Sequence, residues 1–192
     1  MNTIAVGTDP GVISRKSAIK RQRGLTLIEA ATVLAVLAIV VAGGMMMYTI
    51  ADQSRKTTTA LSQLASIQQG VRSMYSGQAT YSNLTASSVA ESASLPSSMI
   101  SGTTLRSAFN GPVNVTPADA GGGSDSGFQI EFTNVPKDPC VKMISNDLGR
   151  GLYSVTVGGQ TRSQAGTPPP FDPPSAIAAC RGSSNTIAWV FN

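Results

Sequence analysis

Three places in this chain of 192 residues carry bonds or side chains able to do chemistry. The first is the Gly24–Leu25 peptide bond, with Glu29 four residues beyond Leu25. A small residue at position 24 suits a protease that must grip the backbone closely. A cut there places a new α-amino group on Leu25, one helical turn from the Glu29 carboxylate. Glu29 needs such a partner. It is the single charge in the apolar run Leu25–Ile50, LTLIEAATVLAVLAIVVAGGMMMYTI, and the next basic residue is Arg55. A carboxylate at membrane depth costs about 3 kcal/mol even on forgiving scales. The second place is the pair Cys140 and Cys180. Both lie outside a membrane under either topology, where oxidation is favoured, and two cysteines allow one intramolecular pairing. Closing a loop of about 41 residues would stabilise the fold by roughly 4 kcal/mol; free buried thiols are the alternative. The third is the loop DAGGGSD, Asp119 to Asp125, whose two carboxylates are too few oxygen ligands for calcium.

The side chains that are missing narrow the field. There is no histidine, which excludes Ser/His/Asp and Cys/His nucleophiles and His-containing zinc sites. Two cysteines alone do not make a structural zinc site. The acids beyond residue 24 are scattered without a paired arrangement, so neither an enzyme nor a cofactor is expected. Aromatic residues make up 5% of the chain, too few for a base-stacking platform. The formal charge is +4, from 14 basic and 10 acidic residues. Arg15, Lys16, Lys20, Arg21 and Arg23 against Asp9 account for all of it. Residues 25–192 hold nine basic and nine acidic side chains. They have no surplus with which to build a nucleic-acid face, and no such partner is predicted.

Positioning these groups falls to a long helix. Leu25–Ile50 would reach about 39 Å as a helix, against a hydrocarbon core of about 30 Å. The run reads as a single-pass membrane segment, with the basic cluster cytoplasmic and residues 51–192 outside. A secretory signal cut near Ala42-Gly43-Gly44 is a second reading, disfavoured by the length of the run and by its carboxylate. Beyond Ile50, Leu61, Leu64, Ile67, Val71 and Met74 recur at spacings of three and four. They predict one apolar stripe on a helix that ends near Gly77. Gly43-Gly44 either loosen this helix or let it pack closely against another. Met45-Met46-Met47 read as packing residues rather than a metal site.

The remainder alternates short elements. Thr85–Leu95 is a candidate helix stopped by Pro96. Val113–Thr116, Phe128–Phe132, Leu152–Val157 and Thr186–Phe191 read as strands. Asp138-Pro139 reads as an N-cap with proline at the first helical position, opening a helix that stops at Gly149. Thr167–Pro174, TPPPFDPP, is either a polyproline II docking segment or, as favoured here, a stiff surface loop. A long helix followed by several strands predicts an α+β fold, with one antiparallel sheet packed on the helix's outer half.

Arg-Gly followed by LTLIE and a long apolar helix resembles the processing region of type IV prepilins. In that family a membrane-embedded aspartyl peptidase cuts after the glycine and methylates the new amine. The resemblance implies cleavage after Gly24, an N-methylated Leu25, and Glu29 as the assembly carboxylate. A 24-residue leader and a mature leucine are similar to the type IVb branch. The division implied is a leader over 1–24, a long helix over 25–77 that crosses the membrane in 25–50, and a head over 78–192. A disulfide between Cys140 and Cys180 would then bound the variable surface region 140–180. The implied partners are further copies of the chain, the prepilin peptidase and methyltransferase, the inner-membrane assembly machinery, and the bilayer before assembly. The precursor would reside in the bacterial inner membrane and the product in an extracellular pilus serving adhesion, aggregation or conjugation. A minor pilin, a secretion pseudopilin, and an uncut membrane-anchored binding domain are the other readings.

Overall fold

The computed structural model describes residues 26–92 and 95–192. The leader, Gly24 and Leu25 lie outside the described residues. The chain divides into one unit ending at Gly44 and a second, Met45–Asn192. Helix α1 runs Leu27–Met74. Of its residues up to Gly44, all are exposed but Ala30, which is half-buried. Among the described residues nothing covers the apolar side chains there.

The second unit is built on the outer half of α1. Thr57, Ala60, Leu64, Ile67 and Val71 are buried at spacings of three and four, the stripe that an amphipathic helix presents to a core. Leu61 and Met74, expected in that stripe, lie on its flanks and are partly buried. Gln63 is buried as well. Its side-chain oxygen accepts a hydrogen bond from the Ala108 N–H at 2.9 Å, which satisfies a polar group that would otherwise be costly inside. The helix stops where Gly77 adopts φ +88°, a left-handed conformation that glycine takes without steric cost.

Beyond it come α2 (Ala86–Ser92), a short 3-10 turn (Ser97–Met99), β1 (Ile100–Ser101), β2 (Thr104–Arg106), β3 (Pro112–Ala118) and β4 (Gly127–Val135). Then follow α3 (Lys137–Ile144), β5 (Leu152–Val157), β6 (Gln160–Ser163), α4 (Pro173–Ala179) and β7 (Asn185–Phe191). The strands form one antiparallel sheet in the order β1-β2-β3-β4-β7-β5-β6. The last strand therefore lies between two that precede it.

Register explains the core. Phe191 pairs with Phe128 on one side and Leu152 on the other, Trp189 with Ile130 and Val155, and Ile187 with Phe132 and Val157. These nine side chains are all buried. They form tiers across β4, β7 and β5 on the face shared with the α1 stripe. The intervening row, Glu131, Ala188, Thr156 and Thr161, is more open. The alternation is that of a sheet with one wet face. Phe132 and Trp189 meet edge to face at 5.5 Å. Tyr75, Tyr81 and Phe128 chain the end of α1 to the same core at centroid distances of 5.3 and 5.0 Å. Gly127 has no room for a side chain, since a Cβ would lie 2.2 Å from the Phe191 carbonyl oxygen.

The structure departs from the sequence expectations at three places. Helix α3 begins at Lys137 with Pro136 at the N-cap, so Asp138 is not the cap. Asp138 and Pro139 occupy the first turn, where an acid suits the helix dipole and proline's missing N–H costs nothing. The helix ends at Ile144 rather than at Gly149, because the Ile144 carbonyl accepts from the Phe171 N–H at 3.0 Å. Finally, Thr167–Pro174 is not one surface loop: Phe171 is buried, and Pro173-Pro174 open α4.

Cys140 and Cys180 are joined, with Cα atoms 6.0 Å apart and a sequence separation of 40. The bond ties α3 to the end of α4 and encloses β5 and β6. Replacing both cysteines by serine should lower the unfolding free energy by about 4 kcal/mol. Urea denaturation of both forms checks this, and an unchanged midpoint would contradict it.

Candidate functional site

Two surfaces offer themselves: the start of α1 and the region closed by the disulfide. Thr26 precedes α1, and its hydroxyl accepts from the Glu29 N–H at 3.4 Å. Thr26 and Glu29 thus stand at the N-cap and N3 positions, the spacing of a capping box. Sequence reading overlooked Thr26, although its S/T-x-x-E pattern was visible. The Glu29 side chain is exposed in the first helical turn, where negative charge is favoured by the helix dipole. Thr32 and Thr49 donate their hydroxyls to the Glu29 and Met46 carbonyls at 2.9 and 2.8 Å. The hydroxyls of Thr32 and Thr49 are in this way satisfied within the helix. Its apolar ones are not covered: Leu27 is 93% exposed, and Val33, Leu34, Leu37, Ile39 and Val40 are exposed too. Nothing in this arrangement is a catalytic constellation. It is a surface for lipid or for like helices.

The disulfide-closed region is held by a compact polar clamp. Asp172 is the N-cap of α4, and one oxygen accepts from the Ser175 N–H at 3.2 Å and the Ser175 hydroxyl at 3.0 Å. Proline at 173 and 174 removes the first two N–H groups, so that of Ser175 is the first free donor. The other Asp172 oxygen accepts from Arg162 of β6 at 2.8 Å. Arg162 also donates to the Ser175 hydroxyl at 3.0 Å and stacks over Phe171 at 5.3 Å. One edge strand, one helix start and one buried ring are thereby joined. The Ser175 hydroxyl first, then the Ser175 N–H and the Arg162 charge, hold the Asp172 carboxyl below its ordinary value.

The glycine loop is engaged with itself. One Asp119 oxygen accepts from the N–H groups of Gly121 and Gly123 at 2.7 and 3.3 Å and from the Ser126 hydroxyl at 3.4 Å. Among the described residues no three His, Cys, Asp or Glu side chains gather to hold a metal.

A membrane-length helix whose outer half anchors a one-sided antiparallel sheet defines a pilin-type structural subunit. Comparison with known proteins places the chain within that class. The family described as PilS N terminal matches residues 54–192, and the prokaryotic N-terminal methylation motif matches residues 19–45. The chain belongs to the PilS family. It is 30% identical over 179 residues to the major structural subunit of the bundle-forming pilus of Escherichia coli O127:H6 (strain E2348/69 / EPEC). The counterpart from Escherichia coli O111:H- is equally similar. Each alignment covers 87% of this chain and 92% of the relative. These relatives are structural subunits rather than enzymes. Among solved structures, the type IVb pilin from Salmonella typhi shares the fold, with a TM-score of 0.52 at 20% identity. That match covers 69% of this chain and 99% of the other.

The lowered Asp172 carboxyl makes a pH-dependent contribution to stability. A depressed folded value means the contribution is complete above the ordinary carboxylate range and is lost as pH falls through the lowered value. Asp172→Asn should therefore melt at a lower temperature than the wild type at neutral pH, and the gap should close under acid. Thermal melts across that pH range check it; a gap independent of pH would contradict it.

Proposed function

We propose that this chain is the precursor of a type IVb pilus subunit that polymerises with copies of itself. Residues 1–24 are the leader, a prepilin peptidase cuts after Gly24, and Leu25 becomes an N-methylated mature terminus. Residues 25–50 span the inner membrane until the assembly machinery withdraws the helix, and the head, over 78–192, faces outward throughout. The observation that carries this reading is the apolar surface of α1 from Leu27 to Ile50, exposed along its length on a chain whose relatives are pilus subunits. Such a surface is stable only in lipid or against other apolar helices.

Within a filament, Glu29 would lie among the helices of adjacent subunits and neutralise the Leu25 amine of one of them. Its carboxylate accepts no hydrogen bond among the described residues, so it is available to do so. Either charge buried alone would be strongly unfavourable, and this makes the pair a means of setting axial register. The region 140–180, stiffened by the disulfide and by the Arg162–Asp172 clamp, would contribute the outer surface of the filament.

Mass spectrometry of the mature protein should find a terminus at N-methylated Leu25. A chain that still begins at Met1 would overturn the processing assignment. Glu29→Ala should still insert and still be cut, yet give about a hundredfold loss of sheared filament, the scale of one unpaired buried charge at about 3 kcal/mol. Normal filament yield would sink the proposed role.

A further inference from the structure

A cleft of about 310 Å³ opens between α1 and the loops at one end of the sheet. Tyr48 and Lys56 line it from the helix, and Asn110, Asn134, Pro136 and Ser183 from the loops. Its rim is basic. Arg106 donates to the Asn110 carbonyl at 3.4 Å, Lys137 follows Pro136, and Arg181 stands two residues before Ser183. Arg55 lines the adjoining recess together with Tyr48 and Ala51. All four cations are exposed, and among the described residues none of them forms an ion pair. Lys56 is paired with Asp52 at 2.8 Å. Asp138, beside Lys137, is the acid that remains, which leaves the rim a surplus of three positive charges.

The rim is also pre-formed. Asn134, itself at φ +60°, donates to the Phe109 carbonyl at 3.1 Å and accepts from the Ser184 hydroxyl at 3.1 Å. Asn185 donates to the Val135 carbonyl at 3.2 Å. The β2–β3 loop, the end of β4 and the turn before β7 are thereby fastened together.

Tyr48 still belongs to the apolar run, and Lys56 lies eight residues further, about 12 Å along a helix. When that run spans a bilayer, the rim stands at the depth of the headgroups, where tyrosine is also favoured. We infer that this rim is a docking surface for anionic lipid headgroups, which seats the head on the membrane before the subunit is withdrawn. The inference rests on the membrane stage proposed above. Charge complementarity favours lipid over a second copy of the chain. The exposed acids are dispersed, with Glu91 on α2, Asp119 in the β3–β4 turn and Asp147 after α3, and offer no patch to match the rim.

The test reconstitutes the full chain in phosphatidylcholine vesicles with or without phosphatidylglycerol and acetylates lysines briefly. Lys142, exposed in the last turn of α3, is the internal reference for Lys137. With about 30% phosphatidylglycerol, the Lys137/Lys142 labelling ratio should fall at least about five-fold at low salt and recover near 0.5 M salt. Replacing the exposed Arg55, Arg106 and Arg181 by glutamine should abolish the protection. Equal ratios in both vesicles would overturn the inference. So would protection in neutral vesicles that grows with chain density, which assigns the rim to a second copy. A chain that alkaline carbonate strips from both vesicles would refute the membrane stage itself, a failure separate from that of the rim.

Discussion

One helix has to satisfy two different surroundings. The first half of α1 exposes leucine, isoleucine and valine on all sides, a surface compatible with hydrocarbon or with other helices of the same kind. The second half narrows to the stripe from Thr57 to Val71 and is covered by the head's own sheet. A helix apolar all round cannot choose a face, whereas a striped one must. The change of pattern after Ile50 is therefore what separates the part that assembles from the part that folds. The buried face of the head's sheet covers that stripe.

The sheet does so with side chains tiered three deep on β4, β7 and β5. Each tier joins residues more than fifty apart in sequence, as Phe128 and Phe191 are. Non-local pairing of this kind is slow to form. The disulfide and the Arg162–Asp172 clamp are the local constraints that fix the 140–180 segment against this background. The wet face carries short polar pairs, Asn114 with Glu131 and Thr156 with Thr161. These support the strands without adding apolar surface.

The parts of this architecture that were legible in the sequence are those with a periodic signal. The α1 stripe, β3, β4, β5 and β7 all alternate or repeat, and the α+β arrangement follows from their order. Strand β6 was missed because Gln160–Ser163 is an exposed edge with no apolar face to betray it. Strand β2 buries Leu105 alone, too little for a pattern. The start of α3 was misplaced by two residues, since Asp138 suits an N-cap by residue type but sits in the first turn instead. Helix α4 was hidden inside a proline-rich stretch whose turn of helix depends on Asp172 and Ser175 meeting. The cysteine pair was readable by arithmetic. The basic rim was not, because Arg55, Arg106, Lys137 and Arg181 come from four separate stretches of chain.

The central place of β7 bears on how such a molecule can be made. Synthesis proceeds from the amino end, yet the strand that bridges the two parts of the sheet is the last to emerge. Until Asn185–Phe191 arrives, β4 and β5 both present open edges, and the stripe on α1 has only part of its cover. The head cannot complete its sheet until that strand has been made. On the membrane stage proposed above, the apolar helix would keep the unfinished polypeptide tethered during that interval, so the segment proposed to build the polymer would first act as a mooring for folding.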